Sequence, residues 1–134
     1  MVESGHKFTD MKVLIVDDQS DARALLRNML MKFGINQIFE SEDGRQALSF
    51  LDTAFDFVDF IICDWNMPNI TGVELLRQLR TVDPNMPFLM VTGRGDAESI
   101  IEAKSSGVTG YIKKPFSSDQ FEAKMRIIAK KSFG

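Results

Sequence analysis

The sequence predicts an α/β protein: a doubly wound (βα)5 fold, with a five-stranded parallel sheet carrying helices on both faces. Three observations lead to this. Short apolar runs, largely β-branched or aromatic and bounded by turn residues, recur five times. A segment of helical periodicity follows each of them. The first, third and fourth runs are nearly continuously apolar, as strands covered on both faces must be. Strict alternation of this kind implies right-handed crossovers between parallel strands.

The first strand is expected at 12–17, KVLIVD. In the next segment, SDARALLRNMLMKFG, residues Ala22, Leu25, Leu26, Met29, Leu30 and Phe33 repeat at helical spacing, with Ser20 available as N-cap and Gly34 as C-cap. The second strand is expected at 37–41, followed by a helix marked by Ala47, Leu48 and Leu51. The third, at 57–64, leads to a helix with Val73, Leu76 and Leu79. The fourth, at 87–91, leads to a helix with Ile100, Ile101 and Ala103. The fifth, at 109–113, leads to a last helix with Phe121, Met125 and Ile128. No repeat, low-complexity tract or linker interrupts the pattern. Residues 1–9 read as an N-terminal tail and 10–134 as one domain, with no further module expected.

Composition narrows the function. With 44% hydrophobic and 26% charged residues in 134, the chain has the balance of a globular domain in water, and no apolar stretch approaches the roughly 18 residues of a membrane span. The first ten residues, MVESGHKFTD, lack the apolar run of a signal peptide, so a cytoplasmic location is expected, away from membranes. A net charge of -3 with no basic window argues against nucleic-acid binding. The one cysteine, Cys63, cannot form an internal disulfide and lies in an apolar run, so it is expected in the core. The one histidine, His6, lies in the polar tail with no second histidine or cysteine to share a metal.

Within IICDWNMPN, residues 61–69, an apolar run stops on the carboxylate of Asp64, and a buried carboxylate needs compensation. Ligands of such sheets sit outside the carboxyl ends of the strands. The first strand ends at Asp17 and Asp18, the third at Asp64, the fourth at Thr92, and the fifth at Lys113 and Lys114 before Pro115. Taken singly, these are ordinary helix caps and surface charges. Taken together, three crowded carboxylates repel one another and would hold protons unless a cation is present. Mg²⁺ suits such oxygen donors and commonly binds beside a phosphate, so Mg²⁺ and Lys114 are the expected compensation. That set has a purpose in phosphoryl transfer. An aspartate nucleophile would form an aspartyl phosphate whose oxygens are stabilised by metal, lysine and threonine. Asp64 is the candidate nucleophile, central if the strand order is the flavodoxin-like 2-1-3-4-5, with Asp17 and Asp18 on the neighbouring first strand suited to the metal.

The segments VDDQS, CDWNMPN followed by TGVELL, VTGRG, and GYIKKPF stand in the order and at the intervals of an acid pair, an acceptor aspartate, a threonine and a lysine-proline motif. In these, residues 10–131 closely resemble bacterial two-component response-regulator receiver domains; DWNMPN and SGVTGYIKKPF bring the chain nearest to the single-domain chemotaxis branch, the CheY-like proteins. The resemblance implies that Asp64 takes a phosphoryl group from the phosphohistidine of a histidine kinase or phosphotransfer protein. It implies Mg²⁺ on Asp18, Asp64 and the backbone carbonyl of Asn66, with Asp17 assisting through water. Thr92 and Lys114 would contact the phosphoryl group, and Tyr111 would turn inward on activation. A cis peptide bond is implied at Lys114–Pro115. Gly93 would leave access to the donor, while Asn66 and Arg94 would set how long the phosphate survives. The glycines on either side of Arg94 are expected to loosen that loop.

Such a protein signals rather than turning over a substrate, although it promotes its own phosphorylation and dephosphorylation. The expected output surface is the face of the fourth helix, fifth strand and fifth helix, including Ala97, Ile100, Tyr111, Lys113 and Lys124. Its target would be a protein, such as a flagellar motor switch; a phosphorelay intermediate or phosphate sink is the alternative. A phosphatase of haloacid-dehalogenase type would need an aspartate general acid at position 66, where this chain has Asn66. A flavin carrier would need phosphate-cradling glycines or hydroxyls after the first strand, where this chain has DDQSD.

Overall fold

The computed structural model describes residues 8–133. Strands β1 (Lys12–Val16), β2 (Gln37–Ser41), β3 (Phe60–Asp64), β4 (Phe88–Thr92) and β5 (Gly110–Lys113) alternate with helices α1 (Ser20–Lys32), α2 (Gly44–Ala54), α3 (Gly72–Val82), α4 (Ala97–Ser105) and α5 (Ser118–Phe133). The strands form one parallel sheet in the order β2-β1-β3-β4-β5, the order expected.

Strand periodicity divides the core in two. Leu14, Val16, Ile61, Cys63, Phe88 and Met90 face α2, α3 and α4, meeting Ala47, Leu51, Val73, Leu76, Leu79 and Ala103. Val13, Ile15, Phe60, Ile62, Leu89 and Val91 face α1 and α5, meeting Leu26, Leu30, Phe121, Met125 and Ile128. The three continuously apolar runs are therefore the three central strands, apolar on both sides because both sides are covered. Cys63 is fully buried, and burial pushes its thiol pKa well up.

Register matters most for function. Val16 pairs with Cys63, Asp64 with Val91, and Thr92 with Lys113. The residues ending β1, β3, β4 and β5 thus emerge at one edge of the sheet.

Several local expectations differ from what forms. The α1 N-cap is Gln19, whose extended backbone (φ -100°, ψ 120°) precedes Ser20 as the first helical residue. Gln19 is held there because its N–H donates to the Asp17 carboxylate. The helix closes at Phe33, and Gly34 follows with φ 91°, a left-handed conformation that suits glycine. Leu25 and Ile101 point outward, at 53% and 65% exposure. Each lies too far round its helix from the buried stripe, which runs through Leu26, Met29 and Leu30 in α1 and Ser99 and Ala103 in α4. β3 begins at Phe60 rather than at 57, since Phe55–Phe57 forms a 3-10 turn and the Asp59 side chain takes the Lys12 N–H. Phe8–Asp10 is also a 3-10 turn; His6 and the rest of the expected tail through residue 7 lie outside the described residues. The Lys114–Pro115 peptide is cis.

Candidate functional site

Asp17 follows β1 directly, Asp18 comes next, and Asp64 ends β3. One carboxylate oxygen from each lies within 4.8 Å of the others. Their surroundings differ. Asp17 is buried, with one oxygen accepting the Gln19 N–H at 2.9 Å; Asp18 is exposed; the Asp64 side chain is 12% exposed. Lys114, following β5, brings its ammonium to 3.5 Å from Asp64 Oδ1 and 3.6 Å from Asp17 Oδ2. Burial pushes the Asp64 carboxyl above its ordinary range; the Lys114 charge opposes that shift and the Asp17 charge adds to it. One ammonium, paired with Asp17 and Asp64, stands against three carboxylates, and all the acid donors are hard oxygens, so the pocket fits a divalent cation.

Thr92 ends β4 and is fully buried, its hydroxyl oxygen accepting the Arg94 N–H at 3.0 Å. Arg94 reaches from the β4–α4 loop to the β3–α3 loop, where Asn66 Oδ1 accepts from its Nη2 at 3.0 Å and its Nε at 3.4 Å. The guanidinium also stacks on Trp65, 4.8 Å from the ring centroid. The Arg94 carbonyl accepts the Tyr111 hydroxyl, so the half-buried Tyr111 side chain is turned toward this loop. Neither Gly93 nor Gly95 has a positive φ. Open space surrounds the missing Cβ of Gly93, whereas a Cβ on Gly95 would stand 2.5 Å from Lys113 Cε, because the Lys113 stem lies across it.

The expected partner-face residues fall on neighbouring elements: Ala97 and Ile100 on α4, Tyr111 and Lys113 on β5, Lys124 on α5. Ala97 and Lys113 are exposed, and the other three are partly so. A groove of about 560 Å³ runs between β5 and α5, lined by Tyr111, Lys113, Phe116, Lys124 and Ile127 among others.

Three supports of the site went unseen in the sequence. The Arg23 guanidinium donates to the Asp17 carbonyl at 2.6 Å and also pairs with Glu40, tying the acid loop to β2. Gly72 opens α3 against the end of β3, where a Cβ would come 2.3 Å from the Asp64 carbonyl oxygen. Trp65 lies within the CDWNMPN segment, and its ring carries Arg94. Arg23 had no local signal, and Gly72 lay within TGVELL with nothing to mark its approach to Asp64. Trp65 stood beside the candidate nucleophile, but nothing in the pattern named a partner 29 positions away.

An acid triad, a lysine and a buried threonine at the carboxyl edge of a 2-1-3-4-5 sheet define a class of signalling domain. The chain belongs to the response regulator receiver domain family, which it matches over residues 13–126. It is a receiver of two-component signalling. Among characterised relatives, it is 42% identical over 118 residues to the chemotaxis protein CheY-3 of Vibrio cholerae serotype O1, covering 87% of this chain and 89% of that one. It is also 42% identical over 120 residues to the chemotaxis protein CheY of Pseudomonas aeruginosa, covering 88% and 95%. Among solved structures, Vibrio cholerae CheY4 superposes with a TM-score of 0.80 at 32% identity, covering 88% of this chain and 98% of that one.

Proposed function

We propose that this receiver accepts a phosphoryl group on Asp64 from the phosphohistidine of a histidine kinase or phosphotransfer protein, in a chemotaxis or related pathway of the cytoplasm. The observation carrying the reading is the Asp64 carboxylate, grouped with Asp17 and Asp18 and facing the Lys114 ammonium at 3.5 Å. The similarity to chemotaxis proteins supports the pathway.

In the transfer, an Asp64 oxygen bonds to phosphorus while the phosphorus–nitrogen bond breaks, its electron pair returning to the donor imidazole. Asp18, Asp64 and the Asn66 carbonyl would hold Mg²⁺, with Asp17 acting through water. When bound, the ion would neutralise charge on the transferring group. Lys114, already between Asp17 and Asp64, donates to a phosphoryl oxygen. The Thr92 hydroxyl, whose oxygen accepts from Arg94, has its own proton to donate to another. Drawing Thr92 inward shifts the β4–α4 loop, and Tyr111 is joined to that loop through the Arg94 carbonyl. The change is read by a protein target, such as a flagellar motor switch, on the α4-β5-α5 face. Asn66 and Arg94 govern how long the phosphate lasts, so the chain promotes both its own phosphorylation and its own dephosphorylation. Residues 10–134 form the receiver unit.

Incubation with Mg²⁺ and acetyl phosphate, followed by intact mass measurement, should show a gain of one phosphoryl group that Asp64→Asn abolishes. Undiminished labelling of Asp64→Asn would overturn the assignment.

A further inference from the structure

Arg94 makes no ion pair among the described residues, although the loop that carries it leaves the sheet at Thr92, on the same edge as the acid pocket. Its guanidinium is held by neutral groups: the Asn66 amide oxygen and the face of Trp65. The two ends of this connection differ in rigidity. Trp65 is 4% exposed and packs in the core beneath α2 and α3, whereas Arg94 is exposed on its loop. The indole is therefore the fixed partner and the arginine the held one. The connection spans the β3–α3 and β4–α4 loops, which leave the sheet next to Asp64 and Thr92.

We propose that Trp65 is a positioning residue for phosphate loss: its indole face, with the Asn66 amide, anchors Arg94 as a strap across the mouth of the site and slows the approach of water. The inference rests on Asp64 being the phospho-acceptor. Loss of the group is hydrolysis. A water oxygen bonds to phosphorus, the bond to the Asp64 oxygen breaks with its electron pair returning to the carboxylate, and the water proton leaves with inorganic phosphate or solvent. The strap acts on the first of these events. A guanidinium on an aromatic face at the surface is a modest contact, so the strap opens intermittently and the expected effect is correspondingly modest.

The test is a double-mutant cycle on the hydrolysis rate, with protein labelled by acetyl phosphate and Mg²⁺ and then freed of donor. Trp65→Leu should speed phosphate loss about two- to fivefold, the factor a surface cation–π contact supports. In an Arg94→Gln background the same substitution should add nothing. Trp65→Phe, which keeps an aromatic face in the core, should fall between wild type and Trp65→Leu. Trp65 is the only tryptophan, so its emission reports the stack directly, and Arg94→Gln should change it in unphosphorylated protein. Equal acceleration in both backgrounds, no acceleration, or unchanged emission overturns the strap alone while leaving Asp64 as acceptor. No labelling of the wild type overturns the acceptor and the strap together.

Discussion

Asp17 and Asp18 are adjacent, yet only Asp17 is enclosed, which fits its place between the Gln19 N–H and Lys114 while Asp18 stays open to a metal. Replacing Asp18 by Ala removes one of three crowded charges without opening a cavity. Asp18→Ala should abolish the rise in Tm produced by Mg²⁺ and slow labelling by acetyl phosphate, with no loss of Tm in metal-free protein. A drop of several degrees in the metal-free variant would show that Asp18 has a stabilising role that charge crowding does not describe. Glu40 is the opposite case. Burial pushes its carboxyl up, but hydrogen bonds from Arg27 and Arg23 and their charges outweigh this and hold it below the ordinary range. A lowered pKa in the folded state means its stabilisation is present above the unfolded value of about 4.3 and is lost as pH falls through the folded value. Glu40→Gln should cost about 1 kcal/mol at neutral pH and less at pH 3, read from urea midpoints at each pH.

At the scale of elements, α3 is held directly against the backbone of Asp64. Thr71 and Glu74 close a capping box, the Thr71 side chain accepting the Glu74 N–H at 3.2 Å and the Glu74 side chain accepting the Thr71 N–H at 2.8 Å. Gly72 then donates its N–H to the Trp65 carbonyl at 2.8 Å and brings the helix onto the backbone of Asp64. A methyl there meets backbone, which cannot swing aside as a side chain would. Gly72→Ala should therefore cost about 1–3 kcal/mol and slow phosphorylation, whereas Thr71→Ala should cost about 1 kcal/mol and leave the labelling rate nearly intact. Chemical denaturation and acetyl phosphate labelling of the same samples separate the two effects. Equal slowing by both substitutions would show that labelling follows helix stability rather than the position of Asp64.

Across the whole molecule, Thr92, Arg94 and Tyr111 connect the acid pocket at the carboxyl edge of the sheet with the α4-β5-α5 face, the surface proposed for the partner. Among the described residues no helix is long and apolar enough to cross a membrane. Burial pushes the Tyr111 hydroxyl pKa up and the nearby Asp96 charge adds to this, with Arg94 opposing, so the phenol keeps its donor proton through the physiological range. Tyr111→Ala should label at a near-normal rate while losing phosphate-dependent binding to its target, measured with beryllofluoride-treated and untreated protein. Loss of both would mark a folding defect, and retention of both would move the output surface elsewhere.

Five strands and five helices were legible in the sequence because periodicity follows from local backbone geometry: alternating side chains in strands, 3.6-residue turns in helices. The ends of the strands were legible too, and with them the gathering of Asp17, Asp18, Asp64, Thr92 and Lys114 at one edge, since parallel strands share an edge. What the pattern did not contain was contact across loops. Arg94 meets Trp65 and Asn66 from one loop to another, while Arg23 reaching the Asp17 carbonyl and Gly72 lying against Asp64 depend on how far a helix rolls on the sheet. The outward turn of Leu25 and Ile101 depends on it as well. Packing of the two core layers sets that roll, and it is a property of all the side chains together rather than of any short stretch. The sequence by itself determined which groups gather at the site, and the tertiary structure decided which of them touch.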